Sequence, residues 1–138
     1  MIGKKVNELE IGHKEFVQKT ISETDIYLYA GITGDLNPAH INEEYAKNTF
    51  FKGRIAHGML TAGLISAVLG TKLPGPGTIY LAQELKFTAP VRIGDTIKAE
   101  AEITEINTEK NIVKIKTTCT NQYDDVVLSG IATVKPPK

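Results

Sequence analysis

The chain of 138 residues contains no tryptophan, one cysteine, two methionines and three histidines. A lone thiol, Cys119, can form neither an internal disulfide nor a cysteine-based metal site; it suits a reducing compartment and reads as a small core residue. An excess of either charge is also missing, since sixteen Lys and Arg balance sixteen Asp and Glu. That removes the basic surplus with which nucleic-acid-binding proteins neutralise phosphates, and no block of like charge is present to meet an anionic membrane. Long apolar runs are lacking as well. The longest, Gly58 to Gly70, covers 13 residues and is interrupted by Thr61 and Ser66, whereas a membrane span needs roughly 20. The N-terminal stretch carries lysines without a continuous apolar region after them, so it does not read as a secretory signal. With no linker, repeat or low-complexity segment, the expectation is one soluble domain over residues 1–138, cytoplasmic, whose partner is a small molecule or another protein.

What is present divides the chain in two. From Thr78 onward the apolar pattern has period two. Ile79, Leu81, Leu85 and Phe87 alternate with Tyr80, Ala82, Glu84 and Lys86, with Gln83 the one polar residue on the apolar side. Ile97, Ala99, Ala101 and Ile103 repeat the pattern, as do Val113, Ile115, Thr117 and Cys119, and Val126 to Val134 reads as a last strand. Such alternation marks half-buried strands, and short loops between consecutive strands predict an antiparallel sheet. The first half is different. Glu15 to Ile21 reads as a short strand, and Ser22-Glu-Thr-Asp25 has the form of a capping box, opening a helix to about Ile32. A second helix starts at Asn42-Glu43-Glu44. Gly58 to about Leu69 predicts a third, apolar nearly all round and therefore buried. An α+β architecture follows, with a sheet of about five strands wrapped round one long central helix.

Few residues can do acid–base chemistry. His13 lies in a polar N-terminal stretch and reads as a surface residue. Asp35 and His40 are five positions apart in Gly34-Asp-Leu-Asn-Pro-Ala-His40, on an irregular loop between two helices, because the residue before Pro38 avoids helical conformation. An aspartate and an imidazole are a usual pair for handling the two protons of a water molecule, although the same residues also make a good turn. The histidines and scattered acids define no metal ligation. Gly58 opens the long helix, whose first amides lack intrahelical partners. Without a side chain, it lets a developing oxyanion approach them, or simply permits close packing. His57 reads as a capping or packing residue. Ser66 falls on roughly the same helix face as Gly58, a little over two turns on, and either serves function or bonds the preceding turn.

Three segments in this order, Gly34 to His40, Ile55 to Leu60 and Gly77 to Asp95, resemble the MaoC-like hydratases, specifically the short (R)-specific enoyl-CoA hydratases. The likeness runs from about Val6 to Val134. It implies a hot-dog fold with an overhanging segment carrying Asp35 and His40, and a homodimer or higher homo-oligomer. It also implies reversible syn hydration of trans-2-enoyl-CoA to (R)-3-hydroxyacyl-CoA with no metal or redox cofactor. By the same resemblance Asp35 and His40 are the catalytic pair, with Asp35 taking a proton from the water and His40 delivering one to C2. Asn37 orders the loop, and the Gly58 N–H binds the thioester oxygen. Ser66 orients Asp35, and Leu69 helps close the acyl pocket. The CoA phosphates would be held by local cations among Lys47, Lys52, Arg54 and Lys86. Other occupations of the fold are a 3-hydroxyacyl-[acyl-carrier-protein] dehydratase, a thioesterase, or a non-catalytic acyl-thioester binding protein.

Overall fold

A computed structural model describes every residue from Met1 to Lys138. After a single 3-10 turn, Val6–Glu8, the elements are β1 (Lys14–Thr20), α1 (Glu23–Thr33), α2 (Pro38–Ile41), α3 (Glu43–Ala46) and α4 (Gly58–Thr71). Then follow β2 (Ile79–Gln83), β3 (Lys86–Phe87), β4 (Thr96–Asn107), β5 (Ile112–Thr120) and β6 (Val126–Lys135). The strands form one antiparallel sheet in the order β1-β4-β5-β6-β2, with β3 also paired to β6. No helix is long and apolar enough to cross a membrane.

The period-two residues of β4 and β5 form the sheet's inner face. Ile97, Ala99, Ala101 and Ile103, and likewise Val113, Ile115, Thr117 and Cys119, are fully buried. Helix α4 packs chiefly across β4 and β1, where it presses Ile65, Val68 and Leu69 into this face. Each fully buried aliphatic side chain contributes about 1.5–3 kcal/mol by leaving water. Because burial pushes the Cys119 thiol up to about 12, almost none of it is thiolate in the folded chain. A thiol reagent at about pH 8 should therefore leave Cys119 unmodified until denaturant opens the sheet, when one equivalent reacts. Rapid labelling of the folded protein would contradict this.

Three elements depart from the sequence expectation. Helix α4 is not buried all round: Thr61, Ile65, Val68 and Leu69 face the core, while Gly63, Ser66 and Gly70 are exposed. One sheet covers only one side of a helix. The stretch from Ile79 to Phe87 is not one half-buried strand. It breaks into β2 and β3 around Glu84 and Leu85, with a register shift between Tyr80 and Ala82, and Ile79, Tyr80 and Leu81 are exposed. The break follows from Gly130 of β6, against which the Glu84 main chain packs directly, and the Gln83 side chain turns in to donate to Thr117 Oγ1 at 2.9 Å. Lastly, His40 is not on irregular chain. Pro38 disfavours helical conformation at Asn37, yet proline is well suited to be the first residue of a helix, and α2 begins there.

Candidate active site

Helix α1 delivers the first acid. Ser22 Oγ accepts from Asp25 N at 3.1 Å and Asp25 Oδ2 accepts from Ser22 N at 2.9 Å, so the anticipated capping box closes its start. Gly34 ends it with a φ of 78°, a left-handed conformation that glycine adopts without strain. The next residue is Asp35. Its Oδ1 accepts from Asn37 N at 3.2 Å, and Asn37 Oδ1 accepts from Ala39 N at 3.1 Å, capping α2. These two bonds fold the loop back, so that His40, one turn into α2, points the same way as Asp35. Asn37 thus links Asp35 to the start of α2.

Two main-chain carbonyls fix the ring nitrogens. His40 Nδ1 lies 2.7 Å from Ile55 O, and His57 Nε2 lies 3.0 Å from Asp35 O. A carbonyl only accepts, so the neutral form of His40 carries its proton on Nδ1 and leaves the Nε2 lone pair free, while the neutral form of His57 carries its proton on Nε2. The two imidazoles stack with centroids 3.9 Å apart, and Tyr29 covers His57 at 4.7 Å. Donor atoms of Asp35, His40 and His57 all lie within 4.8 Å of one another. That spacing lets one water, or a cation, touch more than one of them. Only the fold brings this cluster together, because His57 comes seventeen residues after His40.

These side chains line a cleft of about 520 Å³ whose apolar wall includes Phe51, Phe87 and Val91. It is within the size range of small-molecule sites. Gly58 lies in the same wall as the first residue of α4. Leu60 N and Thr61 N donate to His57 O, and no side chain caps the helix. The Gly58 and Met59 amides are consequently left without helical partners at the positive end of the dipole. A side chain at position 58 would come 2.6 Å from the Phe87 ring, so glycine is what lets the cleft wall close over these amides. Thr61 Oγ1, on the same wall, is buried without a partner.

Two residues singled out in the sequence do not reach this cluster. Ser66 is exposed on the far side of α4, does not line the cleft and makes no hydrogen bond to Asp35, whose carboxylate is held by Asn37. Eight residues of helix carry it about 12 Å from Gly58 along the axis. Leu69 is buried in the core beside Val68 and likewise does not line the cleft of this chain. Among the four cations considered, Arg54 is engaged: Glu23 Oε1 lies 3.1 Å from its Nη2, Glu43 Oε2 lies 3.4 Å from its Nε, and Tyr27 Oη lies 3.0 Å from its Nη1. This network ties the start of α1 to the segment leading into α4. Hydrogen bonds from Tyr27 and then Arg54 hold the Glu23 carboxyl below its ordinary range. Lys47 pairs with Glu44, whereas Lys52 and Lys86 are exposed and form no ion pair.

The MaoC-like domain family matches residues 6–125. The chain belongs to that family. This MaoC-like chain is 58% identical over 130 residues to an (R)-specific enoyl-CoA hydratase of Rhodospirillum rubrum, covering 94% of this chain and 90% of that one. Among solved structures it resembles an unliganded R-hydratase of Pseudomonas aeruginosa, with a TM-score of 0.93, 46% identity, and coverage of 99% of this chain and 87% of that one. It also resembles an (R)-hydratase of Aeromonas caviae involved in PHA biosynthesis, with a TM-score of 0.90, 39% identity, and coverage of 94% and 98%. These MaoC-like neighbours are hot-dog hydratases, and the antiparallel sheet around α4 is that fold.

Proposed function

We propose that this MaoC-like chain is an (R)-specific enoyl-CoA hydratase, a hydro-lyase that adds water syn across trans-2-enoyl-CoA and catalyses the reverse dehydration. The observation that carries the reading is the placement of Asp35 and His40 within reach of one water, beside the unpartnered amides at the start of α4. In hydration, the thioester carbonyl oxygen lies against the Gly58 N–H. The water oxygen bonds to C3 and gives one proton to the free Nε2 of His40, while Asp35 accepts a hydrogen bond from its other O–H. The C2–C3 π electrons move toward the carbonyl, and the enolate charge is stabilised by the amide and the helix dipole. The imidazolium then returns its proton to C2 on the same face, restoring neutral His40. Water is consumed and one C–O and one C–H bond form. The exchange is redox-neutral and needs no redox cofactor, and the reading assigns carbonyl polarisation to the Gly58 amide and not to a metal.

The fixed tautomer favours His40 as the group that both takes and returns the proton, with Asp35 orienting the water. This assigns the first proton transfer differently from the expectation drawn from the sequence, while delivery to C2 stays with His40. Lys52 and Lys86, free of carboxylates, suit the CoA phosphates better than Arg54 or Lys47. A homodimer belongs to the same reading. The exposed apolar edge β2, with Ile79, Tyr80 and Leu81, and the exposed face of α4 bearing Ser66 are surfaces a second copy would cover. A free thiol suits the cytoplasm, where the reading places the enzyme.

The test is a hydration assay on trans-2-enoyl-CoA of several chain lengths, with chiral analysis of the 3-hydroxyacyl product and a parallel series of carrier-protein thioesters. The expected result is (R) product and faster turnover on the CoA series. An (S) product, release of free thiol, or preference for the carrier-protein series would overturn the assignment.

A further inference from the structure

Resting on the hydratase reading, we infer that His57 is a positioning residue that holds the Asp35 main chain and the His40 ring where both reach the same water. His57 Nε2 is bonded to Asp35 O, and its Nδ1 is buried from solvent and has no partner in the chain.

Three observations separate this role from simple packing. First, His57 occupies the N-cap of α4 and makes no capping hydrogen bond. Ser, Thr, Asp or Asn would satisfy a helix amide there, so helix stability is not what the imidazole supplies. Second, the bond to Asp35 O spans 22 residues, whereas the other hydrogen bonds of residues 34–37 are local. Gly34 N donates to Ala30 O, Leu36 N to Gly34 O, Asp35 N to Thr33 Oγ1 and Asn37 N to Asp35 Oδ1. Asp35 and Leu36 are themselves exposed, so burial does not hold them. His57 therefore supplies the hydrogen bond that ties the acid-bearing loop to the helix presenting the Gly58 amide. Third, the ring lies between Tyr29 of α1 and His40 of α2, with centroid separations of 4.7 and 3.9 Å. One side chain thus sets the mutual placement of the acid, the base and the oxyanion donor.

Catalysis by fixed groups is sensitive to placement, and a displacement of about 1 Å can cost roughly 10²-fold in rate. Three replacements discriminate. His57→Phe keeps a ring for packing and deletes the N–H. His57→Gln keeps an N–H donor near the Nε2 position. His57→Asn keeps a polar amide too short to reach Asp35 O. On wild-type enzyme that hydrates enoyl-CoA, H57F and H57N should lower kcat roughly 10²-fold with KM changed less than about threefold, and H57Q should recover to within about fivefold of wild type. In an Asp35→Asn background the H57F penalty should shrink, because one of the groups it positions is already disabled. Equal activity of H57Q and H57N, or a loss carried by KM alone, would overturn the inference. So would an undiminished H57F penalty in the D35N background. Should H57F fail to fold, the H57Q and H57N pair decides. An inactive wild type would instead count against the hydratase reading itself.

Discussion

His40→Asn should lower kcat for enoyl-CoA hydration by about 10³-fold while leaving the fold intact, as general acid–base groups contribute about 10²–10⁴-fold. Asparagine is the informative replacement. Its side-chain amide reproduces the Nδ1 donor to Ile55 O and removes the Nε2 that exchanges protons, so the buried carbonyl is not stranded and stability should change by only about 1 kcal/mol. Asp35→Asn should cost a comparable factor. The Asp35 side chain is exposed, and an amide oxygen still accepts from Asn37 N, so this change also spares the loop. Because both groups serve one water, the double variant should be scarcely slower than either single one. Loss of enoyl-thioester absorbance measures the rate, and circular dichroism with thermal melting verifies the fold. Retention of more than about a tenth of wild-type turnover in both single variants would rule out the proton-transfer scheme.

The largest effect on stability is expected at Gly130. A Cβ there would stand 1.7 Å from Glu84 O and 2.7 Å from Glu84 C. The obstruction is main chain, which cannot rotate aside, and Glu84 N donates to Ile131 O at 2.9 Å, locking the crossing. Accommodating a methyl group means pulling β2 and β3 away from β6 and straining the Gln83–Thr117 bond beneath. Gly130→Ala should therefore lose about 3 kcal/mol, the upper end for overpacking, and melt roughly 10 °C lower. Gly31→Ala is the matched control, since a Cβ at that exposed position of α1 meets nothing within 4 Å. It should be neutral or slightly stabilising. Equal melting temperatures for G130A and wild type would mean that the crossing is far more pliable than its spacing indicates.

Much of the fold was legible because the sheet is built on alternation. β4 and β5 bury every second residue, and Ser22 and Gly34 announce the two ends of α1 through chemistry that needs no tertiary context. The unread parts depend on partners distant in sequence. The break at Glu84 is caused by a glycine on another strand, and a period-two pattern cannot register that. Helix α4 reads as buried because Gly, Ala and Leu surround it, yet exposure on one side depends on what covers it. In the site, Asp35, His40 and Gly58 were visible through loop chemistry and the resemblance to MaoC-like hydratases, whereas Ser66 and Leu69 do not reach the cleft of the chain. His57 is the residue whose role the pattern does not disclose. An imidazole at a helix start where capping residues are preferred was a signal, but its meaning required knowing that Asp35 O lies opposite.

Both imidazoles of the cleft are anchored by main-chain oxygens, those of Ile55 and Asp35. An oxygen of the peptide group survives every side-chain substitution, so no replacement at position 55 or 35 can delete the acceptor that sets either tautomer. The two acceptors are consequently buffered against side-chain replacement at positions 55 and 35. The side chains of the surrounding wall, including Phe51, Phe87 and Val91, supply neither acceptor. Reshaping that wall therefore leaves both anchors of the histidines in place.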